Sequence, residues 1–575
     1  MVDPRSGTAC RRSSLAKVRC QMSRRRVRRS VVLSGAAVVA LVAGLFAVAA
    51  DLGSATVPTP KPTREVLAKT LLAHHRDRFA TPALTRALHL AAGEQQSPGR
   101  AMPTGADGAG ARAAGAAAVR ARAGLANVRV NDPAADRFQV DQTTQSETAV
   151  AVAGTKVAVG FNDSQQALLA LTDGLDFSGY GYSTDGGKTF TDGGTLPNPK
   201  NFVNFGDPWL TADRAGRMYY STLTFGGNVG NLEIGVARSL TGGRTWSEPS
   251  LASPNNDHLF YFGDKEAITA GRDPQVAARD NLYVAWDDFS IDFSSDSPVS
   301  ASTGLPVATS RDHGASWSLH YADKIVNDPN SCGFTQYIGA QPLVDPANGT
   351  LYVAAEKIVV DDPTCTGGHP TFTEVIFTST DGGFTFGPAV TIASITPATP
   401  TGALQLGPGQ FVRTVEFPTL ALRGKTLWAA WNDGASGRSH IRLATSSDAG
   451  ATWRPGDATS GSGDEIQPAL SVDAAGLHLA YYQRNIDNTL DTVLADSSDS
   501  GIHFTAKAVT TRSFPGVHTV PQFDPQIAFG YMGDYIANVS DGTHQYLAWG
   551  DNRDRVTNFT HPRGRNDPDV FFARR

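Results

Sequence analysis

Cysteine is scarce in this 575-residue chain, with four in all. Cys10 and Cys20 lie in a basic leader, so the rest of the chain has room for one disulfide at most, between Cys332 and Cys365. Basic residues are also scarce beyond the leader. Residues 1–30 carry ten Lys/Arg against one acid, which leaves 40 basic against 54 acidic residues, a net of −14. Such a body does not bind nucleic acid or anionic membranes non-specifically. The sequence has no His-Glu-x-x-His, no Gly-x-Ser-x-Gly and no phosphate-binding glycine loop. Those absences argue against zinc-protease, serine-hydrolase and P-loop chemistry. Residues 92–126 have almost no large apolar side chain, so ordering them would cost more entropy than burial returns; they read as a linker.

The leader reads as an export signal. Arg24, Arg25, Arg26, Arg28 and Arg29 precede a charge-free apolar run over 31–50, and Ala47-Val48-Ala49 fits a small-residue cleavage site. About 20 residues are also enough to span a bilayer, so a retained anchor is the alternative. In both cases the body is expected outside the membrane, touching it only through the N-terminal segment. Translation is expected to start at Met22, because residues 22–50 alone have signal-peptide proportions. Residues 51–127 form a spacer, with a helix-like apolar pattern over 64–91. An exported body makes the Cys332–Cys365 pair a disulfide candidate, closing a loop of about 30 residues worth roughly 3–4 kcal/mol.

From residue 128 the texture is all β. A short pattern, Ser-x-Asp-x-Gly-x-Thr-(Trp/Phe), recurs six times, starting at Ser183, Ser239, Ser310, Ser379, Ser446 and Ser497. Its third positions are Asp185, Thr241, Asp312, Asp381, Asp448 and Asp499. The Asp accepts backbone N–H bonds across a tight turn, and the Gly permits positive φ, so these residues are structural. An independent series of apolar strands runs in phase with it: 156–163, 217–224, 281–288, 350–357, 426–433, 476–483 and 544–551. A repeat of this length built from strands predicts a β-propeller. Seven strands against six turn motifs predict seven four-stranded blades over 128–575, with six as the alternative. The last blade lacks its outer strand, and residues 128–130 are expected to supply it and close the ring.

Counting back from each strand of the second series places Glu147, Asp207, Asp264, Gln341, Glu416, Gln467 and Asp534 at the channel mouth. Asp207, Asp264, Glu416 and Asp534 are the candidate catalytic acids, since crowded carboxylates raise one another's pKa values. The bland alternative is that these side chains satisfy inner-strand amides. Glu147, Gln341 and Gln467, with Arg413, Arg438, Arg484, Arg553 and Arg555 on neighbouring loops, are the candidate ligand-binding set. Asn485-x-Asp487-Asn488-x-x-Asp491 has spacing that suits Ca2+, with a solvated loop as the alternative. No other cofactor or metal is implied.

The repeated turn resembles the Asp-box (BNR repeat) of the sialidase superfamily, and residues 140–575 are similar to bacterial secreted proteins classed with exo-α-sialidases. The resemblance implies a propeller whose turn motifs lie away from the ligand face. It also implies an extracellular glycoside hydrolase acting on glycan or glycoprotein. The Arg-Ile-Pro motif of sialidases is missing, so no catalytic residue carries over. The second expectation is a non-catalytic propeller that binds glycan or protein at the cell surface. A monomer is expected.

Overall fold

In the computed structural model the described residues are 122–134, 145–163, 176–226, 231–253, 260–294, 297–327, 333–362, 369–399, 402–407, 410–518, 532–557 and 563–575. The expected export signal, the expected helix over 64–91, most of the expected linker and both Cys332 and Cys365 lie outside them. Every regular element among the described residues is a strand.

The strands group into successive four-stranded units, antiparallel within each, with units 2 and 3 linked into one sheet by a parallel pairing of Phe262 with Leu232, and the protein is an all-β propeller. Unit 1 comprises Gln145–Ala153, Lys156–Asp163, Ser178–Ser183 and Thr191–Thr195. Unit 2 comprises Trp209–Ala212, Met218–Gly226, Asn231–Ser239 and Ser250–Leu251, with Phe202–Asn204 pairing farther along its second strand. Unit 3 is longer: Phe260–Arg272, Asp280–Ser294, Ser297–Ser310 and Ser318–Asn327. Unit 4 comprises Phe334–Val344, Leu351–Val360, Pro370–Ser379 and Val390–Ile395. Unit 5 comprises Thr419–Arg423, Thr426–Asp433, His440–Ser446 and Arg454–Asp457. Unit 6 comprises Glu465–Val472, Leu477–Arg484, Leu490–Ser497 and Thr505–Ala508. Unit 7 comprises Ala537–Ser540, Gln545–Val556 and Arg565–Arg574, and its fourth strand is Val128–Arg129, from the other end of the sequence. Val128 faces Phe572 and Arg129 faces Phe571. A further small sheet of Ala403–Gly407, Gln410–Arg413 and Val517–His518 joins the connections that lead into units 5 and 7.

The second strands bury almost every side chain, as Lys156–Asp163 does after its first residue. That is why they read as unbroken apolar runs rather than as alternating ones. The core lies between units. Tyr283, Val307, Val353 and Phe377 pack units 3 and 4 together. Ile376, Leu427 and Trp431 join units 4 and 5. Val130, Val157, Phe161, Tyr546 and Phe572 join unit 7 to unit 1.

The repeated turns explain their own composition. Asp185 Oδ1 accepts the N–H of Lys188 at 2.9 Å and of Thr189 at 3.1 Å, while Thr189 Oγ1 donates to Oδ2 at 2.7 Å. Ser183 Oγ accepts the N–H of Gly187 at 2.9 Å, and Gly187 sits at φ 83°. Asp312, Asp381, Asp448 and Asp499 accept equivalent bonds. Thr241 stands in for Asp in the second turn, and its hydroxyl keeps one of them, from Thr245 N at 2.9 Å.

Candidate functional site

One cavity of about 220 Å³ is lined by a first-strand segment from each unit: 148–150, 209–211, 265–269, 339–342, 417–420, 467–470 and 534–539. At one end the first strands carry bulges. Register shifts occur between Ser146 and Ala149, Asp264 and Ala267, Ile338 and Gln341, and Ile466 and Ala469. The residue at each bulge takes a left-handed backbone: Glu147 at φ 50°, Lys265 at 49°, Gly339 at 70° and Gln467 at 54°; Asp207, just before the unit 2 strand, does the same at 55°. Left-handed non-glycine residues are uncommon and must be held by their surroundings. Here the preceding unit holds several of them. Asn162 Oδ1 accepts Asp207 N at 2.6 Å, Asp287 Oδ1 accepts Gly339 N at 3.3 Å and Asn432 Oδ1 accepts Gln467 N at 3.2 Å. Each acceptor is the seventh residue of its strand in the apolar series.

Lys265 is the centre of this end of the channel, and counting along the sequence missed it. Its Nζ lies 3.1 Å from Glu147, 2.7 Å from Asp207 and 3.0 Å from Asp534. Arg413 Nη2 meets the same Asp534 oxygen, Oδ2, at 3.0 Å. The Lys265 side chain is 7% exposed and that of Glu147 is fully buried. Burial opposes the charge on Lys265, but Asp207, Asp534 and Glu147 outweigh it and hold the ammonium well above the ordinary lysine value. Burial, then the charge of Asp207, raises Glu147 well above the ordinary carboxyl value. Gln467 Nε2 closes the group by donating to the Gly533 carbonyl at 2.7 Å.

The structure therefore shifts part of the expected ring. Glu147, Asp207 and Gln467 occupy the bulge position. In unit 3 that position belongs to Lys265, one residue beyond Asp264; Asp264 instead pairs across the sheet with Asp287. In unit 4 it belongs to Gly339, two residues before Gln341, which is half-buried beside the cavity. In units 5 and 7 the matching residues are Phe417 and Tyr535, one beyond Glu416 and Asp534, because Thr419 faces Ala430 and Ala537 faces Ala548. The strand register, which a count along the sequence does not give, locates Lys265: it stands two residues before the partner of Ala285, as Glu147 stands two before the partner of Gly160.

Glu416 belongs to a separate carboxyl group at the junction of units 4 and 5. It accepts Ala398 N at 2.9 Å and Asn432 Nδ2 at 3.3 Å. Burial pushes it up to about 8. Burial and Glu416 raise Glu356, and burial, Glu356 and Glu416 raise Glu374. Glu356 and Glu374 face each other directly across neighbouring strands.

The remaining candidate arginines each have partners of their own. Arg438 donates to the Ser462 carbonyl. Arg484 pairs with Asp464 at 3.1 Å and with Asn488 Oδ1 at 2.6 Å. Arg553 pairs with Asp551 and stacks 4.4 Å over Phe571. Arg555 donates to the carbonyls of Arg563 and Gly564. The loop with calcium-like spacing is internally bonded: Asp491 accepts from Asn485 at 2.9 Å and pairs with Arg122 at 3.1 Å, and Asp487 accepts from Thr489. Among the described residues, no group of three or more His, Cys, Asp or Glu side chains is arranged to hold a metal ion.

No family model matches the sequence, and no curated protein matches it. Solved structures do. A Hadza microbial sialidase matches at 18% identity and TM-score 0.37, over 64% of this chain and 66% of that one. An α-L-arabinofuranosidase of Fusarium graminearum matches at 13% identity and TM-score 0.40, over 65% of this chain and 99% of that one. A Trypanosoma rangeli sialidase matches at 12% identity and TM-score 0.37, over 65% and 58%. These are likenesses of fold at low similarity, and they say nothing about substrate or activity here.

Proposed function

We propose that this protein is an extracellular, secreted or surface-anchored β-propeller that binds glycan or protein, and that its channel-mouth carboxylates form a structural ion-pair hub. One observation carries this reading. Lys265 Nζ lies within hydrogen-bonding distance of Glu147, Asp207 and Asp534 at once. Most glycosidases need one carboxyl group free to protonate the leaving oxygen and another free to attack or to activate water; sialidases attack with a tyrosine and need the free acid. Here the carboxylates meet a lysine of the chain itself. The export signal and the likeness of the repeated turn to the Asp-box support the extracellular, glycan-directed part of the reading.

The test is to assay the purified full chain against fluorogenic sialosides and neutral glycosides, alongside a glycan array. The expected result is array binding with no turnover. Turnover abolished by Asp207→Asn or Glu147→Gln would overturn the proposal.

A sialidase-like glycoside hydrolase is the second reading, and Glu416 favours it. A carboxyl group still protonated at neutral pH is what general-acid catalysis requires. On that reading Glu416→Gln abolishes turnover in a protein that still folds.

A further inference from the structure

On the side of unit 6 where its first two strands are joined, a buried histidine meets two carboxylates. His478, in the second strand of unit 6, is 3% exposed. Its Nε2 lies 3.0 Å from Asp473 Oδ1 and its Nδ1 lies 2.6 Å from Asp496 Oδ1. A neutral imidazole has one N–H and can donate to only one of them. An imidazolium donates to both, so the two carboxylates together favour the charged form, against the Arg575 Nη2 donor 3.1 Å from Nδ1.

Unit 7 is tied to the same three residues. Arg575 pairs with Asp496 and lies 3.1 Å from His478 Nδ1, so two cations converge on one carboxylate. Gln545 Nε2 donates to Asp473 Oδ2 at 2.8 Å, and its Oε1 meets Ser471 Oγ at 2.6 Å. Asn538 Nδ2 donates to the carbonyls of His478 and Ala469 at 3.1 and 3.2 Å. Arg423 of unit 5 donates to the Asp473 carbonyl at 2.9 Å. The charged groups around the imidazole are thus Asp473, Asp496 and Arg575, with Arg423 beyond Asp473.

We propose that His478 is a pH-sensitive lock on the seam between units 6 and 7, closed while the imidazole carries two protons. Loss of one proton leaves either Asp473 or Asp496 facing a bare ring nitrogen. Asp473 then holds Gln545 less firmly, or Asp496 holds Arg575 alone. The direction follows from linkage. The folded protein holds the proton more tightly than the unfolded chain, whose histidine titrates near 6.5. The contribution is complete below that pH and is lost as pH rises through the higher folded value.

Other buried groups titrate over the same range, so the test is a difference between proteins. Urea unfolding of the full chain is measured from about pH 5.5 to about pH 9, beside His478→Gln. Gln has no titrating proton and can donate one hydrogen-bonding group to either carboxylate. The ratio of the variant's unfolding constant to the wild type's is expected to be well above one at pH 5.5 and to fall tenfold or more by pH 9. A ratio constant with pH would overturn the lock. A second variant, Asp496→Asn, removes one carboxylate; it should move the wild-type transition to lower pH, and an unmoved transition would also overturn the proposal. Hydrogen exchange at the amides of Gln545 and Arg575, the unit 7 residues whose side chains reach Asp473 and Asp496, reads the same event locally. Both amides bond across the last pair of strands, at 3.0 and 2.9 Å. They are expected to exchange faster, relative to the amides of unit 3, above the transition.

Discussion

Two kinds of carboxyl group coexist in this protein, and they differ in what surrounds them. In the repeated turns, Asp381 and Asp448 are held down to about 2 by hydroxyl and backbone N–H donors. In the interior, burial pushes Glu416 and Asp569 up to about 8. The contrast makes a prediction at Glu416. Unfolded, this carboxyl titrates near 4.5; folded, it holds its proton to about 8. The folded state therefore loses stability as pH rises between those values, by about 1.4 kcal/mol per unit at most. Glu416→Gln keeps an oxygen to accept from Ala398 and Asn432 but cannot ionise. The variant is expected to be more stable than the wild type at pH 7, with the gain shrinking towards pH 4.5 in parallel denaturant titrations. A gain independent of pH would rule out this assignment. The sequence placed Glu416 at a channel entrance beside other acids. It did not show which acids would meet a cation, because Lys265 is a single residue in a left-handed bulge that no local propensity marks.

At the scale of strands and turns, much more was legible. The apolar series marked the second strands because their burial on both faces leaves no alternation. The Ser-x-Asp-x-Gly turns were legible because each residue has a bonding duty that few others can perform. The registers of the first strands were not, and the reason is physical. A bulge adds one residue to one strand, and here it falls at Glu147, Lys265 and Gln467 rather than only at glycine. A count along the chain therefore drifts by one or two residues from unit to unit. The small sheet of Ala403–Gly407, Gln410–Arg413 and Val517–His518 also had no signature, since its strands are too short to show a period. The closing strand yields a prediction. Phe572 is fully buried, faces Val128 across the sheet and packs 4.9 Å from Phe190 of unit 1. Phe572→Ala is expected to cost about 3–5 kcal/mol in global unfolding, the range for a large buried side chain in a core that collapses only partly. A loss below about 1 kcal/mol would mean that the seam between units 7 and 1 contributes little to stability.

Across the whole molecule, the hub connects segments far apart in sequence. Glu147 comes from unit 1, Asp207 leads into unit 2, Lys265 belongs to unit 3, and Arg413 and Asp534 lead into units 5 and 7. Three carboxylates meet two cations there. Such a group is costly to break, because removing one partner leaves the others buried and unpaired. The measurement that bears most directly on this account is equilibrium unfolding of Lys265→Met at neutral pH, with turnover of sialosides and neutral glycosides measured on the same samples. The expected result is a loss of about 3–5 kcal/mol, or failure to fold, with no turnover in either protein. A Lys265→Met protein as stable as the wild type, beside a wild type that turns over glycoside, would contradict it.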